Sequence, residues 1–194
     1  MYHDLFRNAS FWSFLFDVDR DLAATTGKQG CSCGGRLHRA NYPRKPRGGR
    51  EDLPWSYGYR LSFCCDRDGC RKRATPPSVR FLGRKVYLGA VVVLVAAMRQ
   101  GPSPRRVREL SQLFGADRRT IACWCTFWRE YFPQTPFWKV VRGRFLPGLA
   151  VAALPRALLE AFVHREDSRD DWERLLRFLS PITITGGLGI TGIS

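Results

Sequence analysis

Cys31-Ser32-Cys33-Gly34-Gly35 and Cys64-Cys65-Asp66-Arg67-Asp68-Gly69-Cys70 are the two stretches that decide how this chain is organised. Zinc takes four soft or borderline ligands in a tetrahedron, and two cysteine-bearing turns can supply them. Glycine beside each set of thiols lets the backbone turn its amides toward the sulfurs. The first pair is Cys-x-Cys, and the second is read as Cys65-x4-Cys70 or Cys64-x5-Cys70. The preferred ligand set is Cys31, Cys33, Cys65 and Cys70 around Zn2+, with Cys64 or His38 as alternatives. The competing reading is a group of buried thiols without metal. Cys123 and Cys125 fall inside an expected helix, where ordinary packing accounts for them.

Between the two cysteine sets lie a basic run, Arg44-Lys45-Pro46-Arg47, and an alternation of Tyr57, Tyr59, Leu61 and Phe63 with smaller or polar residues. The alternation predicts a short strand ending at Phe63. Turns, a strand and two thiolate pairs make the layout of a zinc ribbon, in which metal replaces a core too small to hold itself together. Arg71, Lys72 and Arg73 follow the last cysteine.

Outward from the ribbon the pattern is helical. Phe11, Phe14, Leu15, Val18 and Leu22 form one stripe over 10–25, with Asn8 and Ser10 available as caps. Trp12 and Phe16 widen this stripe, which suggests a surface for another chain or an oligomer, or else packing against Val86–Met98. That apolar run is too short to cross a bilayer as a helix and reads as a buried helix over about Arg84–Arg99. Pro104–Phe114, Gly115-Ala116-Asp117 and Arg118–Tyr131 read as helix, tight turn, helix. Ile121, Trp124 and Trp128 share one face, leaving Arg118, Arg119 and Thr120 at the start of the second helix for a ligand. Shorter helices are predicted near Pro155–Val163 and Arg169–Leu179. The expected fold is mainly α with a small β zinc ribbon, followed by a helix-turn-helix domain. Its parts are 1–30 (apolar helix and connector), 31–82 (ribbon), 83–147 (helix-turn-helix), 148–181 (C-terminal helices) and 182–194 (flexible tail).

The chain has 194 residues, a net charge of +15 and 44% hydrophobic residues, so it is globular and strongly cationic. Of its cations 27 are Arg and 5 are Lys; guanidinium forks suit phosphate and the guanine edge. Residues 31–150 hold 24 cations against 7 anions, a net of +17, while both flanks are near neutral. A polyanion is therefore the expected partner, and the middle of the chain its binding region. The expected contacts are Arg44, Lys45, Arg47, Arg71, Lys72 and Arg73 on the ribbon, and Arg105, Arg106, Arg118, Arg119 and Thr120 on the helices. The N-terminus shows no secretion signal, so the thiols are expected as ligands or buried groups and not as disulfides.

The order from ribbon to Gly115-Ala116-Asp117-Arg118-Arg119-Thr120-Ile121-Ala122-Cys123-Trp124 resembles the N-terminal DNA-recognition region of bacterial insertion-sequence transposases. It is also similar to small zinc-ribbon proteins of mobile elements. The resemblance covers about Cys31–Tyr131; it departs at Cys123, where that family often has Arg before the Trp. It implies a DNA-binding accessory protein in the bacterial cytoplasm, at the nucleoid, working beside a separate transposase or other enzyme. Those transposases continue into a domain with three metal-binding carboxylates, for which this chain leaves no room, so the expectation is recognition without catalysis. No Ser-His-Asp set, phosphate loop or His-Glu-x-x-His is present. RNA binding through Tyr42, Trp55, Tyr57 and Tyr59 is the second reading, and a small nuclease or recombinase is the third.

Overall fold

The computed structural model describes residues 2–49, 52–82, 87–99, 103–145, 147–165 and 167–184. Among these it is mainly helical, with eight α-helices and a small antiparallel sheet. Helix α1 (Tyr2–Arg7) leads into α2 (Ala9–Gln29). Asn8 caps α2, its Oδ1 accepting from the Ser10 N–H at 2.9 Å. Ser10, the other predicted cap, lies inside the helix. The buried face of α2 is Phe11, Trp12, Leu15, Val18, Asp19 and Ala23. The stripe packs into the chain's own apolar core, one of the two alternatives that the sequence left open, and the Trp12 indole donates to the Phe6 carbonyl at 2.9 Å.

The strands follow as β1 (Leu37–Arg39), β2 (Tyr42–Pro43), β3 (Tyr59–Arg60), β4 (Phe63–Cys65) and β5 (Arg73–Ala74). One sheet has the order β1-β4-β5, with Leu37 opposite Cys65 and Phe63 opposite Ala74; β2 and β3 pair separately. The expected alternating strand is corrected here. Trp55–Gly58 is a 3-10 turn that starts after Pro54, and Tyr57 leaves the alternation to bury its ring and donate its hydroxyl to the Trp12 carbonyl. The hydrogen bond and core contact outweigh the period-2 preference.

The middle of the molecule is α3 (Gly89–Arg99). It begins later than the predicted Arg84; residues 83–86 lie outside the described segments, and Tyr87 and Leu88 are extended, bridging to Arg47 and Phe81. Ala90 through Ala97 are all buried. A helix that is apolar all round belongs in a core. Its valines lose at most about 0.7 kcal/mol each in helix propensity, while burial contributes about 1.5–3 kcal/mol per side chain. As a helix the segment also satisfies its own backbone inside the core, where a strand would need partners.

Four helices pack on α3: α4 (Pro104–Phe114), α5 (Arg118–Thr126), α7 (Arg156–Phe162) and α8 (Arg169–Leu179). Helix α6 (Pro136–Val141), which the sequence pattern did not predict, is capped by Thr135, whose hydroxyl accepts from the Trp138 N–H at 3.1 Å. α5 does not run uniformly to Tyr131; residues Phe127–Tyr131 form a π turn. One apolar cluster extends from Leu5 to Ile182. The start of the expected flexible tail belongs to it: Ile182 is buried and the Thr183 hydroxyl accepts from the Ser78 N–H at 3.1 Å. Residues 185–194 lie outside the described segments.

Candidate metal centre and cationic face

The turns carrying the cysteines are built by glycine and by backbone hydrogen bonds. Gly34 and Gly69 both sit at φ 83°, in the left-handed region. In the first turn the Gly34 N–H donates to the Cys31 carbonyl at 2.8 Å, and the Cys31 N–H to the Gly35 carbonyl at 3.0 Å. In the second, the Cys70 N–H donates to the Arg67 carbonyl at 3.1 Å and the Cys65 N–H to the Lys72 carbonyl at 3.0 Å. Gly35 is required by space: a Cβ there would lie 2.6 Å from Cys65 Sγ.

These turns bring the sulfurs of Cys31, Cys33, Cys65 and Cys70 within 4.8 Å of one another. Cys31 and Cys70 Sγ are 3.8 Å apart, and Cys33 and Cys65 Sγ 3.5 Å. A tetrahedron with metal–sulfur bonds of about 2.3 Å has edges of about 3.8 Å. A disulfide would need about 2.05 Å. The four thiols therefore fit a metal ion. The alternatives fall away: Cys64 Sγ turns to the Arg71 carbonyl at 3.4 Å, and His38 Nε2 lies 3.3 Å from Asp66 Oδ2. Cys123 and Cys125 lie on α5, outside the cluster.

Two side chains that sequence reasoning passed over lock one turn to the other. Arg67 Nη1 donates to the Cys33 carbonyl at 2.6 Å, and Asp66 Oδ1 accepts from the Arg36 N–H at 2.9 Å. The thiols do not share charge evenly. The Gly35 N–H, helped by the neighbouring thiols, holds Cys33 down to about 6. Cys65 is pushed up to about 12: the Arg67 N–H favours its thiolate, but burial and the sulfurs of Cys33, Cys31 and Cys70 outweigh it. Cys70 is also raised, because Cys33, burial and Cys31 together overcome the pull of the Lys72 N–H. Cys33 thus ionises more readily than Cys65 and Cys70, whose charge the neighbouring sulfurs oppose.

A second polar centre, also missed, lies in the core. Asp19 on α2 accepts from Arg80 Nε at 2.8 Å, the Ser78 hydroxyl at 2.7 Å and the Val79 N–H at 2.7 Å, and both charged side chains are 0% exposed. The Arg80 guanidinium lies 4.7 Å from the Phe16 ring centroid, 4.9 Å from Tyr57 and 5.1 Å from Phe81. Its Nη2 donates to the Tyr59 carbonyl at 3.1 Å. The signal in the sequence was an Asp set inside the apolar stripe of α2.

The predicted contact residues divide. Arg118 and Arg119 are exposed in the first turn of α5, whose opposite face buries Ile121, Trp124 and Cys125. Asp117 caps this helix, accepting from the Thr120 N–H at 2.7 Å. Asp117 is held below the usual carboxylate range by that N–H first, then by the Thr120 hydroxyl and Arg119. Thr120, expected to hold a ligand through its hydroxyl, takes part in this cap through its backbone N–H. Gly115, at φ 61°, turns the chain between α4 and α5, and the Tyr87 hydroxyl donates to its carbonyl at 3.3 Å. Arg105 is exposed and pairs with Glu109 at 3.0 Å; the Arg106 side chain lies outside the described residues.

Around the small sheet and the cysteine turns, Lys45, Arg47, Arg71, Lys72 and Arg73 are exposed. Arg71 pairs with Asp68 at 2.8 Å, and Arg73 lies over the Tyr42 ring at 5.5 Å while donating to the Ala40 carbonyl at 2.7 Å. Arg44 is half-buried, with its guanidinium 5.8 Å from the Phe81 centroid, and burial lowers its pKa. The 44–47 loop is pinned at both ends, by Arg44 N–H to the Gly58 carbonyl (2.6 Å) and Leu88 N–H to the Arg47 carbonyl (3.0 Å). Comparison of the chain with protein-family models, curated proteins and solved structures returned no match.

Proposed function

We propose that the chain is a zinc-stabilised, sequence-selective binder of duplex DNA. On this reading the Cys31, Cys33, Cys65 and Cys70 thiolates hold one Zn2+ in a ribbon, and α4 and α5 act as a helix-turn-helix with α5 entering the major groove. The observation that carries the reading is the start of α5. Two exposed arginines stand at a capped helix N-terminus, on the face opposite Ile121 and Trp124, within a chain of net charge +15. Helices that read base edges present such residues from their first turns. The partial positive charge of the helix end adds to theirs.

In this arrangement Arg119 is the base-reading candidate and Arg118 a phosphate contact, while Lys45, Arg47, Lys72 and Arg73 supply sequence-independent attraction. The resemblance to transposase recognition regions supports an accessory role at a mobile-element end, beside a separate enzyme. Selection of a preferred duplex from a random pool, followed by titration of that duplex and a scrambled one, tests the reading. Arg119→Ala should weaken the preferred duplex by about 1–3 kcal/mol and the scrambled one by less. Equal loss on both duplexes with an unchanged melt makes Arg119 a phosphate clamp. No binding to any duplex at low salt ends the proposal.

A further inference from the structure

Tyr42, Trp55, Tyr57 and Tyr59 are close in sequence but not alike in placement. Tyr57 and its ring go into the core, while Trp55 stays 82% exposed and Tyr59 40% exposed. Trp55 and Tyr59 meet edge-on at 5.9 Å between centroids and an interplanar angle of 81°. Pro43 is exposed and stands opposite Tyr59 in the β2-β3 pairing, on the outward face, whereas the Arg60 beside Tyr59 is buried.

The backbone under these rings is fixed. The Tyr57 N–H donates to the Pro54 carbonyl at 2.8 Å, the Arg44 N–H to Gly58, and the buried Arg80 to the Tyr59 carbonyl. An indole on a fixed turn, with a large free face, leaves apolar area in water. The strand paired with Tyr59 leads directly into Arg44, Lys45 and Arg47, and residues 36–47 carry no carboxylate. A partner of matching chemistry brings a flat apolar face together with negative charge along a backbone. An unpaired nucleotide has both.

We propose that Trp55, flanked by Tyr59 and Pro43, is a stacking platform for an unpaired base, with Lys45 and Arg47 taking the adjoining phosphates. Such a site would let the protein hold a frayed, nicked or single-stranded end beside a duplex. The stacking role of Trp55 is separate from the role given to α5, although Lys45 and Arg47 would serve both.

The test uses the full chain with three probes: a blunt duplex, the same duplex with a single-stranded tail carrying 2-aminopurine, and the tail oligonucleotide alone. The tail should raise affinity over the blunt duplex, and its 2-aminopurine fluorescence should be quenched on binding. Trp55→Ala should remove about 5- to 150-fold of affinity for the tailed duplex and the free tail, the span of one base–aromatic stack. Blunt-duplex affinity and the thermal melt should not change, because Trp55 lies outside the core. Trp55→Phe should restore part of the loss. If the tail adds nothing, or if Trp55→Ala leaves the tail increment and the quenching intact, the platform is overturned and the indole faces something other than nucleic acid. Failure of the α5 reading looks different: duplex binding is then insensitive to sequence or absent, while the free tail still binds through Trp55.

Discussion

Replacing Asp19 by Ala should be among the most damaging single changes outside the metal turns. It removes the acceptor of three hydrogen bonds and leaves the Arg80 guanidinium, 0% exposed, without its counter-ion. Breaking a buried pair from one side costs about 3–5 kcal/mol. The orphaned Val79 N–H adds about 1–3 kcal/mol. The rings of Phe16, Tyr57 and Phe81 still face the cation and return part of this. A net loss of about 4–6 kcal/mol is expected, a large share of the roughly 5–15 kcal/mol that holds a domain together. For a chain of this size each kcal/mol moves Tm by about 2–4 °C, so the melt should fall by roughly 10–20 °C. Urea unfolding followed by circular dichroism measures the loss directly. Adding Arg80→Met to Asp19→Ala removes the stranded charge while keeping an apolar stem among the rings, and should recover at least about 2 kcal/mol. An Asp19→Ala loss below about 1 kcal/mol, or a double variant no more stable than the single one, refutes the account of a charge held by its partner.

Elemental analysis should find one metal ion per chain; Cys70→Ser should lose it and admit protease between residues 36 and 72, with the helical circular dichroism signal largely kept because most of the apolar cluster comes from the helices. Gly35→Ala, whose Cβ would sit 2.6 Å from Cys65 Sγ, should cost about 1–3 kcal/mol of stability in metal-loaded protein by differential scanning fluorimetry. Trp124→Ala removes a buried ring stacked edge-on with Tyr87 at 4.9 Å, and should cost about 3–5 kcal/mol in a melt and weaken every duplex alike. Asp171 is held below its ordinary value: burial pushes its carboxyl up, but the N–H groups of Arg165 and His164 and the Arg174 guanidinium pull it further down. Its stabilisation is therefore present above the unfolded value near 3.9 and is lost as pH falls through the lower folded value. The stability gap between wild type and Asp171→Asn should be wide at pH 6 and should close as pH falls below the ordinary carboxylate range.

What could be read in the sequence was local. The capped turn between α4 and α5 was legible because Gly115, Asp117 and the Ile121–Trp124 spacing each have one geometric use. The bounds of α8 were also legible, and the structure adds Ser168 as its cap. The choice of Cys65 over Cys64 agrees with a strand in which neighbours point to opposite faces. Non-local competition was not legible. Tyr57 abandons the strand pattern for a carbonyl far away in sequence, on α2. Tyr87 and Leu88 are drawn out of the expected helix by Arg47 and Phe81. The Asp19–Arg80 pair spans most of the first half of the chain, and no periodicity connects its members.

Those long-range links bear on the proposed function. The cysteine turns bring residue 31 to residue 70, and the buried ion pair fastens α2 to the segment that follows β5. Between these two clamps the 44–47 loop is held by its backbone, which leaves the Lys45 and Arg47 side chains exposed without freeing the chain that carries them. Tyr87, bridged to Arg47, carries the connection onward by packing on Trp124 and donating to the Gly115 carbonyl in the turn before α5. A duplex touching both the loop and α5 would then meet two surfaces already set relative to each other. Little ordering entropy would remain to be lost on binding, which is where a preorganised surface gains over a flexible basic tail of equal charge. On that logic the cost of a loosened Tyr87 is functional before it is structural. Tyr87→Phe removes only the hydroxyl bond to Gly115 and keeps the ring on Trp124, so the fold should persist. The preferred duplex should lose more affinity than the scrambled one, because sequence-independent attraction tolerates a turn out of register and base contacts do not.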